Sequence, residues 1–179
     1  MKDPIRISRS AQSLGLAVLF SCAIYSCDNA RPKVAPPIHS CEILTIAEVE
    51  GLLGSTVERP PTETHNVQQD LSHWVSMCNY YAPDSGISVG FMIKPFPRNH
   101  QNPDAAYEAY TKELKNEAPD LSIQPVQGIA GRAFWTVETG QLTIFSNSHM
   151  YIFSARSKGS NDPENLDLAR NIATAVLAK

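Results

Sequence analysis

The sequence predicts an α+β domain: an antiparallel sheet of about five to six strands with helices packed mainly on one face, in the order α-β-β-α-β-β-β-α. Three observations carry this expectation. Helix starts with capping chemistry stand at Thr45-Ile46-Ala47-Glu48, at Asn102-Pro103-Asp104 and at Asp162-Pro163-Glu164. Directly after the turn residues Pro83-Asp84-Ser85-Gly86, Ile87, Val89, Phe91 and Ile93 alternate with Ser88, Gly90, Met92 and Lys94, a period of two. Strand patterns also come in runs between helices instead of alternating singly with them, which favours antiparallel pairing over parallel βαβ units.

Each element follows from its residues. The Thr45 hydroxyl is placed to accept from the Glu48 backbone while the Glu48 carboxylate returns to the Thr45 amide, a capping box with Leu44 and Val49 as its hydrophobic staple. The helix it opens carries Ile46, Val49, Leu52 and Leu53 and stops at Gly54. From Leu71 to Ala82, Trp74, Val75, Met77, Cys78, Tyr80 and Tyr81 favour the first strand of a hairpin. Asn102 caps a second helix with Pro103 and Asp104 in its first turn, Tyr107, Tyr110 and Leu114 on one face, and Glu108 paired with Lys112 on another; Pro119 closes it. A short strand is expected near Ile123 to Val126. A meander follows, with strands Ala133 to Val137, Leu142 to Asn147 and Met150 to Ala155 and the turn Glu138-Thr139-Gly140-Gln141. Asp162 is expected to cap the last helix, whose apolar face is Leu166, Ala169, Ile172, Ala173, Val176 and Leu177.

The first forty residues speak to location. Lys2, Arg6 and Arg9 precede an apolar run from Leu14 to Ile24, short of the roughly twenty residues a membrane-spanning helix needs. With Cys27 close behind and a polar stretch holding Pro32, Pro36 and Pro37, this layout resembles a bacterial lipoprotein export signal. The resemblance implies a signal peptide over residues 1–26, a lipidated Cys27 with a Pro-rich tether over 27–40, and a single α+β domain over 41–179. Cys22 is the alternative lipidation site, since Leu19 and Ser21 precede it as Ile24 and Ser26 precede Cys27. The expected location is the cell envelope, lipid-anchored to a bacterial membrane and facing the periplasm or the exterior. In that oxidising compartment Cys41 and Cys78 remain as one even pair, expected to form a disulfide.

Charge narrows the partners. The chain carries a net −3; without the three Lys/Arg and one Asp of residues 1–26, twelve positive and seventeen negative side chains remain, a net −5. A net acidic chain without a basic cluster argues against nucleic acid.

Catalytic signatures are sparse. There is no Ser-x-x-Lys, and the cysteines are committed to lipid or disulfide, so no catalytic residue is assigned. Glu48, Glu50 and Glu63 form no evident working pair. The histidines at 39, 65, 73, 100 and 149 show no i, i+4 spacing; His65 and His73 with Asp70 between them come nearest to a loop metal site, and solvated surface histidines are the expectation, with no metal and no cofactor. Gly128-Ile129-Ala130-Gly131 lacks a phosphate-loop ending and reads as a turn feeding a strand. Trp135, Phe145, Tyr151 and Phe153 read as core. The last strand is nevertheless apolar on both sides, Tyr151 and Phe153 on one and Met150 and Ile152 on the other, so one side is a candidate groove for a lipid or a peptide.

Several of these stretches together resemble small bacterial envelope lipoproteins whose domains look like the α+β PsbP-like fold. They are Cys41-Glu42-Ile43-Leu44-Thr45 through Glu48-Val49 to Leu53-Gly54, Cys78-Asn79-Tyr80, Gly128-Ile129-Ala130-Gly131-Arg132-Ala133-Phe134-Trp135, and the Ala-rich closing helix. That pattern has an acidic residue near Arg132, which this stretch lacks. The resemblance implies a non-catalytic domain. The functional expectation is a lipid-anchored interaction or accessory domain with an envelope protein as partner. One alternative is a carrier of a small apolar ligand or lipid; another is a hydrolase with an unrecognised site, signalled by activity lost on replacing His65, His73 or Asp70.

Overall fold

A computed structural model describes residues 37–67, 73–96, 102–159 and 161–179; the expected signal peptide, Cys22, Cys27, the tether up to residue 36, Asp70 and His100 lie outside the described residues. The elements are a 3-10 turn (Ser40–Glu42), α1 (Ile46–Leu53), β1 (Thr62–Val67), β2 (Trp74–Ala82), β3 (Ile87–Pro95), α2 (Pro103–Glu117), β4 (Ile123–Val126), β5 (Arg132–Thr136), β6 (Gln141–Ser146), β7 (His149–Arg156) and α3 (Asp162–Leu177). The strands form one sheet in the order β1-β2-β3-β7-β6-β5-β4, every neighbouring pair antiparallel. The chain thus meanders through three strands, crosses by α2 to the far edge, and meanders back until β7 meets β3.

The α+β class is as the sequence predicts, with seven strands instead of five to six. The extra one is β1, Thr-Glu-Thr-His-Asn-Val, an edge strand whose residues are exposed or half-buried. An edge strand with no deeply buried face carries no apolar alternation, which is why its pattern is silent.

The helices sit on both faces, which corrects the expectation of one. Register places Cys78, Phe91, Phe153, Leu142 and Trp135 side by side across five strands. Val49 and Leu53 of α1 and Ala169, Ile172, Ala173 and Val176 of α3 belong to the same buried cluster. Full burial of one such aliphatic or aromatic side chain stabilises the fold by roughly 1.5–3 kcal/mol. On the opposite face α2 lies against β5 and β6, where Ala106, Phe134, Phe145 and Met150 make a second buried cluster with Tyr107, Tyr110 and Leu114 around it. Sheet positions apolar on both sides, such as Phe134 next to Trp135, exist because each side has its own helix.

Local chemistry sets the helix ends. Thr45 and Glu48 form the capping box of α1, and Gly54 takes the left-handed conformation at its end (φ 61°). The Asn102 carboxamide accepts from the Ala105 N–H at 2.8 Å. In α3 the cap is Asn161, boxed with Glu164, one residue before the expected Asp162. Asp162 is thereby freed for another task.

Candidate functional site

Residues 38–44 run across the first sheet face and are fastened there at successive inward positions of β2. The Ser40 N–H donates to Ser76 Oγ at 2.9 Å and the two serine hydroxyls lie 2.8 Å apart, all buried. Cys41 and Cys78 are disulfide-bonded, with Cα atoms 5.1 Å apart, as cysteine parity predicts. Farther along, the buried Tyr80 hydroxyl donates to the Leu44 carbonyl at 3.3 Å. Ser76, Cys78 and Tyr80 are every second residue of β2, so the period of the strand sets the spacing of the fasteners. Ile38 packs on the core and Ser40 is wholly buried, so these residues of the expected tether lie on the body of the domain.

Glu63 and His65 occupy the same face of β1, opposite Cys78 and Ser76. The His39 ring stacks on the His65 ring, centroids 4.0 Å apart and planes 16° apart, and His39 Nδ1 lies 3.4 Å from Glu63 Oε1. His65 Nδ1 is buried without a hydrogen-bond partner among the described residues. In register the residue opposite His65 is Ser76, and His73 stands just before Trp74, the first residue of β2. Glu63 is the second residue of β1. His39, 24 residues away from Glu63, had no spacing signal that could reveal it.

The second face is half covered. Tyr107 meets Phe134 and Phe145 edge-on, with centroids 5.8 Å apart in each case, and Tyr110 lies 5.7 Å from Phe145. Register continues this surface outwards in one row, Phe134, Thr143, Ile152, Met92, Met77 and Thr64. Phe134 and Thr143 are buried, whereas Ile152, Met92 and Met77 are half-buried. Among the described residues no helix is packed over Met77 and Met92. Tyr151 and Phe153 point to the first core, so of the two sides of β7 it is Met150 and Ile152 that face this surface.

Two hollows adjoin on this side. One, of about 250 Å³ between α2 and the sheet, is lined by Phe96, Tyr110, Leu114, Phe145 and Met150. The other, of about 360 Å³ at the ends of β1, β2 and β3, is lined by Asn66, Trp74 and Val75. Lys94, Pro95 and Phe96 line both. The Lys94 ammonium lies 5.7 Å from the centre of the Tyr110 ring, a cation–π contact. Burial lowers the Lys94 pKa against the opposing pull of Glu113, and burial, then Glu113 and Glu117, raises that of Tyr110. A desolvated cation over an aromatic floor suits recognition of a polar group on an otherwise apolar molecule. Lys94 and Phe96 were not singled out by the sequence, in which each is one side chain of a strand end.

The glycine loop is the expected turn into β5. Gly128 and Gly131 have φ of 80° and 96°, and the loop borders an open hollow of about 490 Å³ with Tyr107 and Arg132. The Arg132 guanidinium stands 4.3 Å over the Tyr107 ring and 2.7 Å from Asp104 Oδ1. Asp104 of α2 is thus the acidic neighbour of Arg132. Both groups are exposed, so solvent screening leaves the pair little weight in stability. The other shifted carboxylates serve structure: Glu48 and Glu138 bind backbone or side-chain donors at a helix start and a strand turn, and Glu50 accepts from the Val57 N–H and pairs with Arg59.

Compared with protein-family models, with curated proteins and with solved structures, the chain matches none.

Proposed function

We propose that this is a lipid-anchored protein of the bacterial envelope that acts without catalysis, offering the uncovered half of its second sheet face to a protein or another envelope component. The supporting observation is the row Thr64, Met77, Met92 and Ile152. Its apolar members stand half-exposed, while the same row under α2 is sealed. A contiguous apolar strip rimmed by polar residues, here Asn79, Ser88 and Lys94, is the surface that protein contacts use. The anchor itself is argued from the N-terminal sequence, with Cys27 as the lipidated residue and Cys22 as the alternative.

Photo-crosslinking in intact cells tests the docking face. A crosslinker at Met92 should give discrete adducts that a crosslinker at the exposed Asp167 of α3 does not; equal labelling from both positions would remove the reading. Intact mass of the protein taken from membranes should show an acylated chain beginning at Cys27, and a chain retaining Met1 would remove the anchor.

A carrier role has one observation in its favour, the hollow of about 250 Å³ walled by Phe96, Tyr110, Leu114, Phe145 and Met150. It lies just under the usual 300–1,000 Å³ of ligand sites, enough for a short acyl chain or one ring. Organic extraction of the purified protein followed by mass spectrometry decides: a stoichiometric lipid supports the carrier, and an empty extract supports docking.

A further inference from the structure

We propose that His39, Glu63 and His65 form a binding site for a divalent transition-metal ion of the zinc class. One candidate ligand atom from each of the three residues lies within 4.8 Å of the others. Two imidazoles and one carboxylate are a donor set that zinc uses with a fourth position left open, and paired imidazoles disfavour the hard ions magnesium and calcium.

The scaffold brings these groups together from two places. Glu63 and His65 are two residues apart on β1 and so share a face, while His39 arrives from the fastened N-terminal segment. Its neighbours Ser40 and Cys41 are fixed to Ser76 and Cys78, so the backbone at His39 is held next to the strand before any ion binds. Such preorganisation is what a metal site requires of its supporting residues.

The contacts seen do not by themselves account for the cluster. The His39–Glu63 separation of 3.4 Å is long for a hydrogen bond, and the two side chains are 47% and 35% exposed. His65 Nδ1, meanwhile, is a buried polar atom with no partner among the described residues, the sort of group that needs a reason. An ion supplies one, either at that nitrogen or by fixing the tautomer through the other.

Coordination needs a modest movement. Lone pairs of imidazole lie in the ring plane, so two stacked rings aim them side by side instead of at one point. Turning the exposed His39 ring out of the stack converges them. With metal–ligand bonds of about 2.0–2.2 Å, tetrahedral ligand atoms sit roughly 3.3 Å apart, so the cluster must close by about 1.5 Å at its widest, within reach of side-chain torsions. The open fourth position would hold water or a donor from a partner. Bound metal would add a second clasp, beside the disulfide, between the segment at His39 and the edge strand.

The test uses untagged protein purified in detergent with its disulfide intact. Zinc chloride is titrated by calorimetry and, separately, in competition with a chromogenic chelator. One equivalent should bind; His65→Ala and Glu63→Gln should each weaken that event tenfold or more, while His73→Ala leaves it unchanged. Circular dichroism confirms that each variant is folded; should His65→Ala unfold, Glu63→Gln and His39→Ala, both at exposed side chains, decide in its place. Absence of saturable binding overturns the proposal. So does one-equivalent binding unaffected by these substitutions, or binding lost equally on His73→Ala.

Discussion

The indole N–H of Trp135 donates to Asp162 Oδ1 at 2.8 Å, fastening a wholly buried ring of β5 to the first turn of α3. Asn161 makes this contact available, because it takes over capping and leaves the Asp162 carboxylate free to turn inward. Asp162→Ala strands a buried donor and should cost about 1–3 kcal/mol in urea unfolding, with a change in tryptophan emission. Asn161→Ala should cost about 1 kcal/mol and leave the emission as it is, since only the cap is lost.

Reduction of Cys41–Cys78 opens a loop of 37 residues. On the chain-entropy estimate the oxidised protein is more stable by about 3–4 kcal/mol. Urea midpoints with and without reductant, repeated on Cys41→Ser/Cys78→Ser, check this; the double variant should match the reduced protein and ignore reductant.

Gly131 and Gly128 separate conformational from steric cost within one loop. Both have positive φ, but a Cβ at Gly131 would overlap the backbone carbonyl of Phe145, whereas one at Gly128 meets open space. Gly131→Ala should lose about 2–4 kcal/mol and Gly128→Ala about 1–2 kcal/mol. Thermal unfolding of the two variants in parallel shows the difference.

Acid should weaken the clasp between α1 and Lys179. The Glu48 carboxyl is held down to about 2 from an ordinary 4.5, first by the hydrogen bond from the Lys179 ammonium at 2.6 Å and then by the Thr45 backbone and hydroxyl donors. A depressed folded-state value means the stabilisation is present above about 4.5 and is lost as pH falls towards about 2. Glu48→Gln should therefore be the less stable protein at neutral pH and show a shallower fall through that window, the two curves meeting at its acid end. Urea midpoints at stepped pH measure both.

Caps, turns and one-sided apolar stripes were legible because each is a local code. Thr45 with Glu48, Asn102 with Pro103, and the alternation from Ile87 to Ile93 all act over a few residues and were found where the sequence placed them. β1 was not legible, since Thr62–Val67 sits at an edge and needs no apolar face. Helices on two faces were half legible: Tyr107, Tyr110 and Leu114 marked a buried stripe on α2, and Phe134, Phe145 and Met150 marked a second apolar surface. What joined them was topology, the crossing from β3 to the far edge at β4. The cluster of His39, Glu63 and His65 left no trace in spacing, because its members meet only once the chain before α1 has folded back over β1.

That folded-back chain also governs how the domain takes mechanical load. Tension applied from upstream of Ile38 reaches the covalent bond between Cys41 and Cys78 before it reaches α1, and from there passes into β2, which is flanked by strands on both sides. With thiols oxidised, a tug on the leading end is taken up by a strand hydrogen-bonded on both sides before it can peel the first helix away. Reduction would remove that covalent stop.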